Sequence, residues 1–294
     1  MADYEAFASR DPSEFELLYL SVDGIAERLH LGQPREAVLA GWGMLADGKK
    51  VLLHLAPGTK EDTASCRILP GHAAARAQGS AAGRHRLIRA PEECLPRTAR
   101  QRCLAHKVRN LQSKVPEPLW PEFKACALAC YQAAAPALSR LLRDEVVTAY
   151  GRELASAVAC FQDDFEACIA HLKFPLAHRR AIRTTNLLER LFGEERRRTK
   201  VIPHAFGERA VLKLMYAALI RAAERWRGLR VTEFELRQLK VIREELDRLL
   251  TEANSAGCSP SIPNQIIQQG RDLTVNWRSV RPNLKQFGAD QLAR

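Results

Sequence analysis

A cluster of basic side chains between residues 183 and 200 is the group best suited to bind an anion. Its positive members are Arg183, Arg190, Arg196, Arg197, Arg198 and Lys200, and its negative members are Glu189, Glu194 and Glu195. Arginine binds phosphate oxygens through its planar guanidinium fork, so the cluster indicates contacts to a phosphate backbone. A solvent-exposed helix face would have a similar composition, and this alternative stays open.

Two acidic residues have sequence contexts in which a carboxylate could be functional. Asp23 follows the apolar run LLYLSV and precedes Gly24. Glu189 lies in NLLERLF, at the edge of an apolar helical stripe. That stripe is formed by Leu187, Leu188, Leu191 and Phe192. Each acid also has an ordinary interpretation: Asp23 as a turn acid at the end of a strand, and Glu189 as an i,i+4 partner of a helix arginine.

Cys103 and His106 form a C-x-x-H pair in RQRCLAHKVRN. A zinc site would need a second pair of ligands, and the sequence has no C-x-x-C to supply one. A packed cysteine beside a half-buried histidine is the alternative interpretation. Four further cysteines lie in Ala-rich helical sequence, where cysteine usually acts as a small buried hydrophobe. These are Cys126, Cys130, Cys160 and Cys168.

Three consecutive strands are predicted to position the first acid. Apolar runs cover residues 17–23, 34–45 and 51–58, and the last two flank ADGKK. Asp-Gly between apolar runs is a strong hairpin signal, so the strands should be antiparallel neighbours. Asp23 would stand at or near the end of the first strand.

Helices are predicted for most of the remaining chain. Apolar residues recur at spacings of three and four from about 97 to 180, which favours a helical insertion. The next helix lies within 181–203, with Thr184 or Thr185 as its N-cap. Two long helices follow, at about 206–226 and 231–252. We therefore divide the chain into segments 1–96, 97–180 and 181–252, with a loosely ordered tail over 253–294.

Composition favours a polyanionic partner and argues against a membrane protein. The 294 residues carry a formal net charge of +11, with a pI near 9.5, which points to nucleic acid. No apolar run approaches the roughly 20 residues of a membrane span, and no signal peptide is visible. A reduced, cytoplasmic protein without membrane contact is the simplest expectation.

Three blocks of the sequence together resemble the Mutator-type transposases of insertion sequences. The blocks are YLSVDG with the following PREAVLAGWGMLADGKKVLLHLAPGTKE, then RQRCLAHKVRNLQSKVP, and RTTNLLERLFGEERRRTKVIP. The resemblance extends from about residue 15 to residue 252. The RTTN-x-x-ER…RRRTK block is specific enough to argue against an unrelated nuclease of similar fold.

The resemblance implies a fold, a reaction and a set of site residues. The fold would be α/β but mostly helical by residue count, with an RNase H-like core, an incomplete mixed sheet and C-terminal helices. Asp23 and Glu189 would be two acids of a DDE triad that holds two Mg²⁺ or Mn²⁺ ions for phosphoryl transfer on DNA. Cys103 and His106 match the family's C-x-x-H pair. The DNA-binding residues would be the six basic residues of the cluster together with Asn186.

The resemblance also implies partners and a cellular setting. The substrate would be DNA at transposon ends, the chain would form homo-oligomers, and it would be associated with the nucleoid. Because the first catalytic strand starts within about 20 residues of Met1, we expect a DNA-binding region ahead of the catalytic domain to be missing, so that this copy is truncated and defective. The alternative is a catalytically inactive, basic DNA-binding remnant that interferes with an intact transposase.

The second aspartate of the triad has no match. It is expected near Arg86, yet no acid occurs between Asp62 and Glu92, which are the two fallback candidates. The segment GHAAARAQGSAAGRHR at residues 71–86 shows neither helical nor strand periodicity. Permitted codons for residues 67–85, read one nucleotide later, give GFFQDMRPRGLRDPLLVVT, and an aspartate can follow. We therefore interpret the segment as a compensated double frameshift, with a diverged native loop as the alternative.

Overall fold

A computed structural model describes residues 2–11, 15–30, 32–58, 78–81, 99–199, 207–224 and 228–255. This part of the chain forms a mixed sheet and is mostly helical. The strands are β1 (Leu17–Glu27), β2 (Glu36–Leu45), β3 (Lys50–Gly58), β4 (Gln78–Ala81) and β5 (Gln101–Arg102). The helices are α1 (Ala2–Ser9), α2 (Leu104–Gln112), α3 (Trp120–Tyr131), α4 (Pro136–Tyr150), α5 (Ala155–Gln162), α6 (Phe165–Ile169), α7 (Leu176–Ile182), α8 (Asn186–Thr199), α9 (Glu208–Ala223) and α10 (Glu233–Ser255).

The first three strands form the predicted antiparallel meander. β1 pairs with β2, and β2 pairs with β3 through a tight turn at Asp47 and Gly48. Gly48 adopts φ +81°, which glycine tolerates and other residues rarely adopt. One expectation is wrong: β1 does not end at Asp23 but continues to Glu27, because residues 24–27 pair in register with residues 36–39 of β2.

Two short parallel strands extend the sheet on the other side of β1. The order is β3-β2-β1-β4-β5, with β4 parallel to both β1 and β5. The expectation that residues 71–86 contain no regular element is therefore wrong at residues 78–81. Gln-Gly-Ser-Ala has no β-branched side chain to signal a strand, but its backbone groups can satisfy those of β1 whatever the side chains are. The other residues of 71–86 lie outside the described part.

The helix that carries Glu189 and the two long helices after it begin close to where the sequence places them, whereas the predicted helical stretch from about 97 begins only at Leu104, after β5. α8 starts at Asn186, directly after the predicted N-cap Thr185. The two long helices are α9 and α10. Residues 253–255 of the predicted tail continue α10, and the remainder of the tail is not described. Among the helices of the described ranges, none is long and apolar enough to cross a membrane.

Two large hydrophobic cores stabilise the fold. One lies among α2 to α6 and includes Phe123, Tyr131 and Phe161. The other joins the sheet to α1, α8 and α9 and includes Trp42 and Met215. Cys126, Cys130 and Cys168 are buried in the helical core, as predicted, whereas Cys160 is only partly buried.

Lys107 anchors α2 to the helical core. Its side chain is fully buried, and its ammonium donates hydrogen bonds to the carbonyl oxygens of Cys160 and Asp163 at the end of α5. Burial lowers the pKa of Lys107 because the charged form loses its hydration. The carbonyls compensate part of this loss and fix the inner face of α2.

We expect Lys107→Met to lower the free energy of unfolding by about 3 kcal/mol, because the two buried carbonyls lose a charged donor. Urea denaturation would measure the change. Lys114→Met, at an exposed position just after α2, is the matched control and should change stability by less than about 0.5 kcal/mol. Equal stability of the two variants would contradict the anchoring role of Lys107.

Candidate active site

Asp23 lies on β1, one residue beyond the last pair of the parallel ladder, which joins Val22 to Ala81. Its side chain is only 8% exposed. The pKa of Asp23 is raised to about 7, chiefly by burial and to a smaller extent by the negative charges of Cys103 and Glu189. The backbone N–H of Gly24, 2.9 Å from Oδ1, and the charge of His106 act in the opposite direction. Asp23 is therefore a carboxylate whose charge is poorly compensated.

Glu189 is held at the edge of the buried face of α8, as the sequence predicts. Leu188, Leu191 and Phe192 of the stripe are buried against the sheet and α9, while Glu189 is partly exposed. Its carboxylate does not pair with an arginine of its own helix. Its partners lie on α2: His106 Nε2 stands 3.4 Å from Oε1, and the Arg109 guanidinium stands 3.2 Å from Oε2.

Hydrogen bonds join the start of α2 to the start of α8. The sulfur of Cys103 accepts hydrogen bonds from the backbone N–H of Thr185 at 3.4 Å and from its hydroxyl at 3.3 Å. The backbone N–H of Leu104 donates to the carbonyl of Arg183 at 2.9 Å. We call these three bonds the α2–α8 clasp. They set where α8 begins and hence where Glu189 faces α2.

The clasp places Cys103 and His106 in an electrostatically coupled pair. Burial alone would raise the pKa of Cys103, but hydrogen bonding to His106 and Thr185 lowers it to about 7. The pKa of His106 is raised, chiefly by Cys103 and then by the charges of Glu189 and Asp23. Both C-x-x-H residues thus belong to the same site as the two acids.

The two acids are the residues of this site that could hold a divalent cation. Carboxylate oxygens are the donors that Mg²⁺ and Mn²⁺ prefer. Nowhere in the described ranges do three or more metal-ligating side chains gather in an arrangement that could hold a metal ion. Asp62 and Glu92, the fallback candidates for the second acid, lie outside the described residues. So does Arg86, near which that acid is expected.

The predicted DNA-binding residues are partly engaged with acids. Arg196 lies 3.6 Å from Glu27, and both Arg197 and Arg198 pair with Glu194, at 2.5 and 2.9 Å. Arg190 is exposed, and burial together with the charge of Arg180 lowers the pKa of the half-buried Arg183. The side chain of Asn186 and the whole of Lys200 are outside the described part.

Sequence reasoning missed Arg109 and the role of Thr185. His106 and Arg109 are an i,i+3 pair on a helix, so they share a face. This spacing in the sequence could have predicted that Arg109 lies beside His106. Thr185 was interpreted only as a cap. Its hydroxyl bonds the Cys103 sulfur across 82 positions of the chain, a contact for which local sequence gives no signal.

Comparisons with known proteins agree with the family resemblance inferred from the sequence blocks. The family model described as transposase, Mutator family, matches residues 2–228. The transposase for insertion sequence element IS6120 of Mycolicibacterium smegmatis is 31% identical over 230 residues, which are 76% of this chain and 71% of that protein. The transposase for element IST2 of Acidithiobacillus ferrooxidans is 30% identical over 206 residues, 68% of this chain and 70% of that protein.

We expect Asp23→Asn to stabilise the metal-free protein at pH 8 by roughly 2–4 kcal/mol. The pKa of Asp23 rises from 3.8 to about 7 on folding, so the native state binds its proton more tightly than the unfolded state. The wild-type protein therefore loses stability as pH rises between about 4 and 7, and asparagine removes this loss. The measurement is urea denaturation in a chelator at pH 4 and pH 8.

The control for this experiment is Asp144→Asn on α4, where the carboxylate is exposed. It should leave the pH dependence of unfolding as in the wild type. If Asp23→Asn followed the same pH dependence as Asp144→Asn, the uncompensated charge at Asp23 would be refuted.

Proposed function

Because the chain belongs to the Mutator family of transposases, we propose that it is built for DNA transposition by metal-dependent phosphoryl transfer at transposon ends. The observation that carries this proposal is that Asp23 and Glu189, from distant parts of the chain, are near enough for their charges to interact, and that both interact with the C-x-x-H pair. A divalent cation, Mg²⁺ or Mn²⁺, would activate the attacking water or 3′-hydroxyl and stabilise the leaving oxygen.

The chain's own residues have distinct parts in this proposal. Asp23 and Glu189 would hold the cation, and Asp23, a buried carboxylate with a raised pKa, would gain most from a nearby positive charge. The basic cluster of residues 183–200, with Asn186, would bind the DNA backbone. The sheet order, with β4 parallel to β1 beside Asp23, supports an RNase H-like core. Homo-oligomer formation and association with the nucleoid stay predictions.

The alternative function is DNA binding without catalysis, with interference in the action of an intact transposase. Two observations favour it: no acid occurs between Asp62 and Glu92, and the described residues contain no group of three or more metal-ligating side chains that could hold a metal ion. Under the frameshift interpretation the triad lacks its second member, and we expect negligible strand transfer by this chain.

A repaired variant separates the two functions. We replace residues 67–86 by GFFQDMRPRGLRDPLLVVTD, the shifted-frame segment with its aspartate at position 86. We expect the unrepaired chain to bind DNA without joining transposon ends, and the repaired chain to gain Mg²⁺- or Mn²⁺-dependent cleavage. The repaired chain with Asp23→Asn or Glu189→Gln should lose cleavage and keep its DNA affinity.

Cleavage that survives both substitutions in the repaired chain would refute the assignment of the two acids. Metal-dependent joining by the unrepaired chain would instead direct the search for the second acid to Asp62 and Glu92. DNA affinity in every variant should fall steeply with salt, since phosphate contacts release counterions. Affinity independent of salt would contradict binding through the basic cluster.

The nucleotide sequence across codons 62–92 tests the frameshift directly. We expect the shifted frame to encode a β-strand followed by an aspartate. A shifted frame without a strand pattern would mean that residues 71–86 are a native loop.

A further inference from the structure

The side chains that contact Glu189 occupy the carboxylate oxygens that a metal ion would need. Both of its carboxylate oxygens face cationic or hydrogen-bonding groups of α2. Oε2 lies 3.2 Å and Oε1 3.5 Å from the same Arg109 nitrogen, and His106 Nε2 approaches Oε1 at 3.4 Å. A metal ion would need at least one of these oxygens, so the guanidinium and the metal compete for the same charge.

The Arg109 side chain is exposed enough to turn away from Glu189 into solvent. It is 57% exposed, whereas the side chain of Glu189 is 33% exposed. A rotation of the long arginine side chain toward solvent would free the carboxylate without moving α2, because Lys107 and Leu111 fix the opposite face of that helix in the core. Arg109 is therefore the partner that can move toward solvent, whereas Glu189 belongs to a helix packed on the sheet.

We propose that Arg109 is a positioning residue that occupies Glu189 in the free protein and releases it when DNA binds. This inference rests on the proposed function, since it takes Glu189 as a metal ligand. A guanidinium that leaves a carboxylate is suited to a DNA phosphate, which it can bind through the same fork of donors. DNA would thus remove the competitor of the cation, and the site would bind metal tightly only when substrate is present.

This coupling is reciprocal by thermodynamic linkage: DNA raises the affinity for metal, and metal raises the affinity for DNA by the same factor. An ion pair as exposed as Arg109–Glu189 is of modest strength, so the factor is about two- to fivefold. Loss of Arg109 should tighten the metal site of the free protein by that factor and abolish its dependence on DNA.

The test is a titration of the full chain with Mn²⁺, followed by electron paramagnetic resonance, with and without a short DNA duplex. We expect the duplex to tighten Mn²⁺ binding by the wild-type chain about two- to fivefold. Arg109→Gln should bind Mn²⁺ about as tightly without DNA as the wild type does with DNA. Arg109→Lys, which keeps the charge, should restore part of the DNA dependence.

Arg152→Gln is the matched control, because it removes one exposed positive charge after α4 and leaves α2 and α8 untouched. It should behave as the wild type. Weaker Mn²⁺ binding by Arg109→Gln, or an unchanged DNA dependence, would overturn the inference. Glu189→Gln separates it from the proposed function: if this variant binds Mn²⁺ like the wild type, Glu189 is not a metal ligand and the proposed function itself fails at that residue.

Discussion

The clasp between α2 and α8 is the contact on which the candidate site depends. Glu189 belongs to a helix that packs on the sheet, whereas its partners His106 and Arg109 belong to a helix rooted in the separate helical core. The bonds between Thr185 and Cys103 and between Leu104 and Arg183 hold the start of α8 next to the start of α2. A cysteine suits this position because it is small enough to be buried and its sulfur can accept two hydrogen bonds.

The two faces of helix α2 contact different parts of the protein. Lys107 points inward and holds carbonyls of α5, while His106 and Arg109 point toward Glu189. Adjacent residues of one helix therefore connect the stability of the helical insertion to the electrostatics of the site. The helical segment thus supplies the two side chains that pair with Glu189.

The sequence predicted the parts of the fold that periodicity and turn chemistry determine. The meander, its Asp-Gly hairpin and the helix start after Thr185 are all signalled within a few residues, and all are confirmed. The extension of β1 beyond Asp23 and the strand at Gln78–Ala81 were missed, because backbone pairing with a neighbour determines them and their own side chains give no signal. The partners of Glu189 were missed because they lie 80 positions away or more along the chain.

The position of Asp23 limits what the missing second acid could do. Its carboxylate stands just beyond the end of the parallel ladder with β4, and under the proposed function the second acid, expected near Arg86, would lie close to it. A second carboxylate there would add like charge to a group that burial already disfavours, and only a cation could make both ionised forms stable. Under the proposed function, the metal would therefore stabilise the ionised forms of both acids. Under the frameshift interpretation, a chain without the second acid would retain the free-energy cost of burying Asp23 and lack the ligand set that would compensate it.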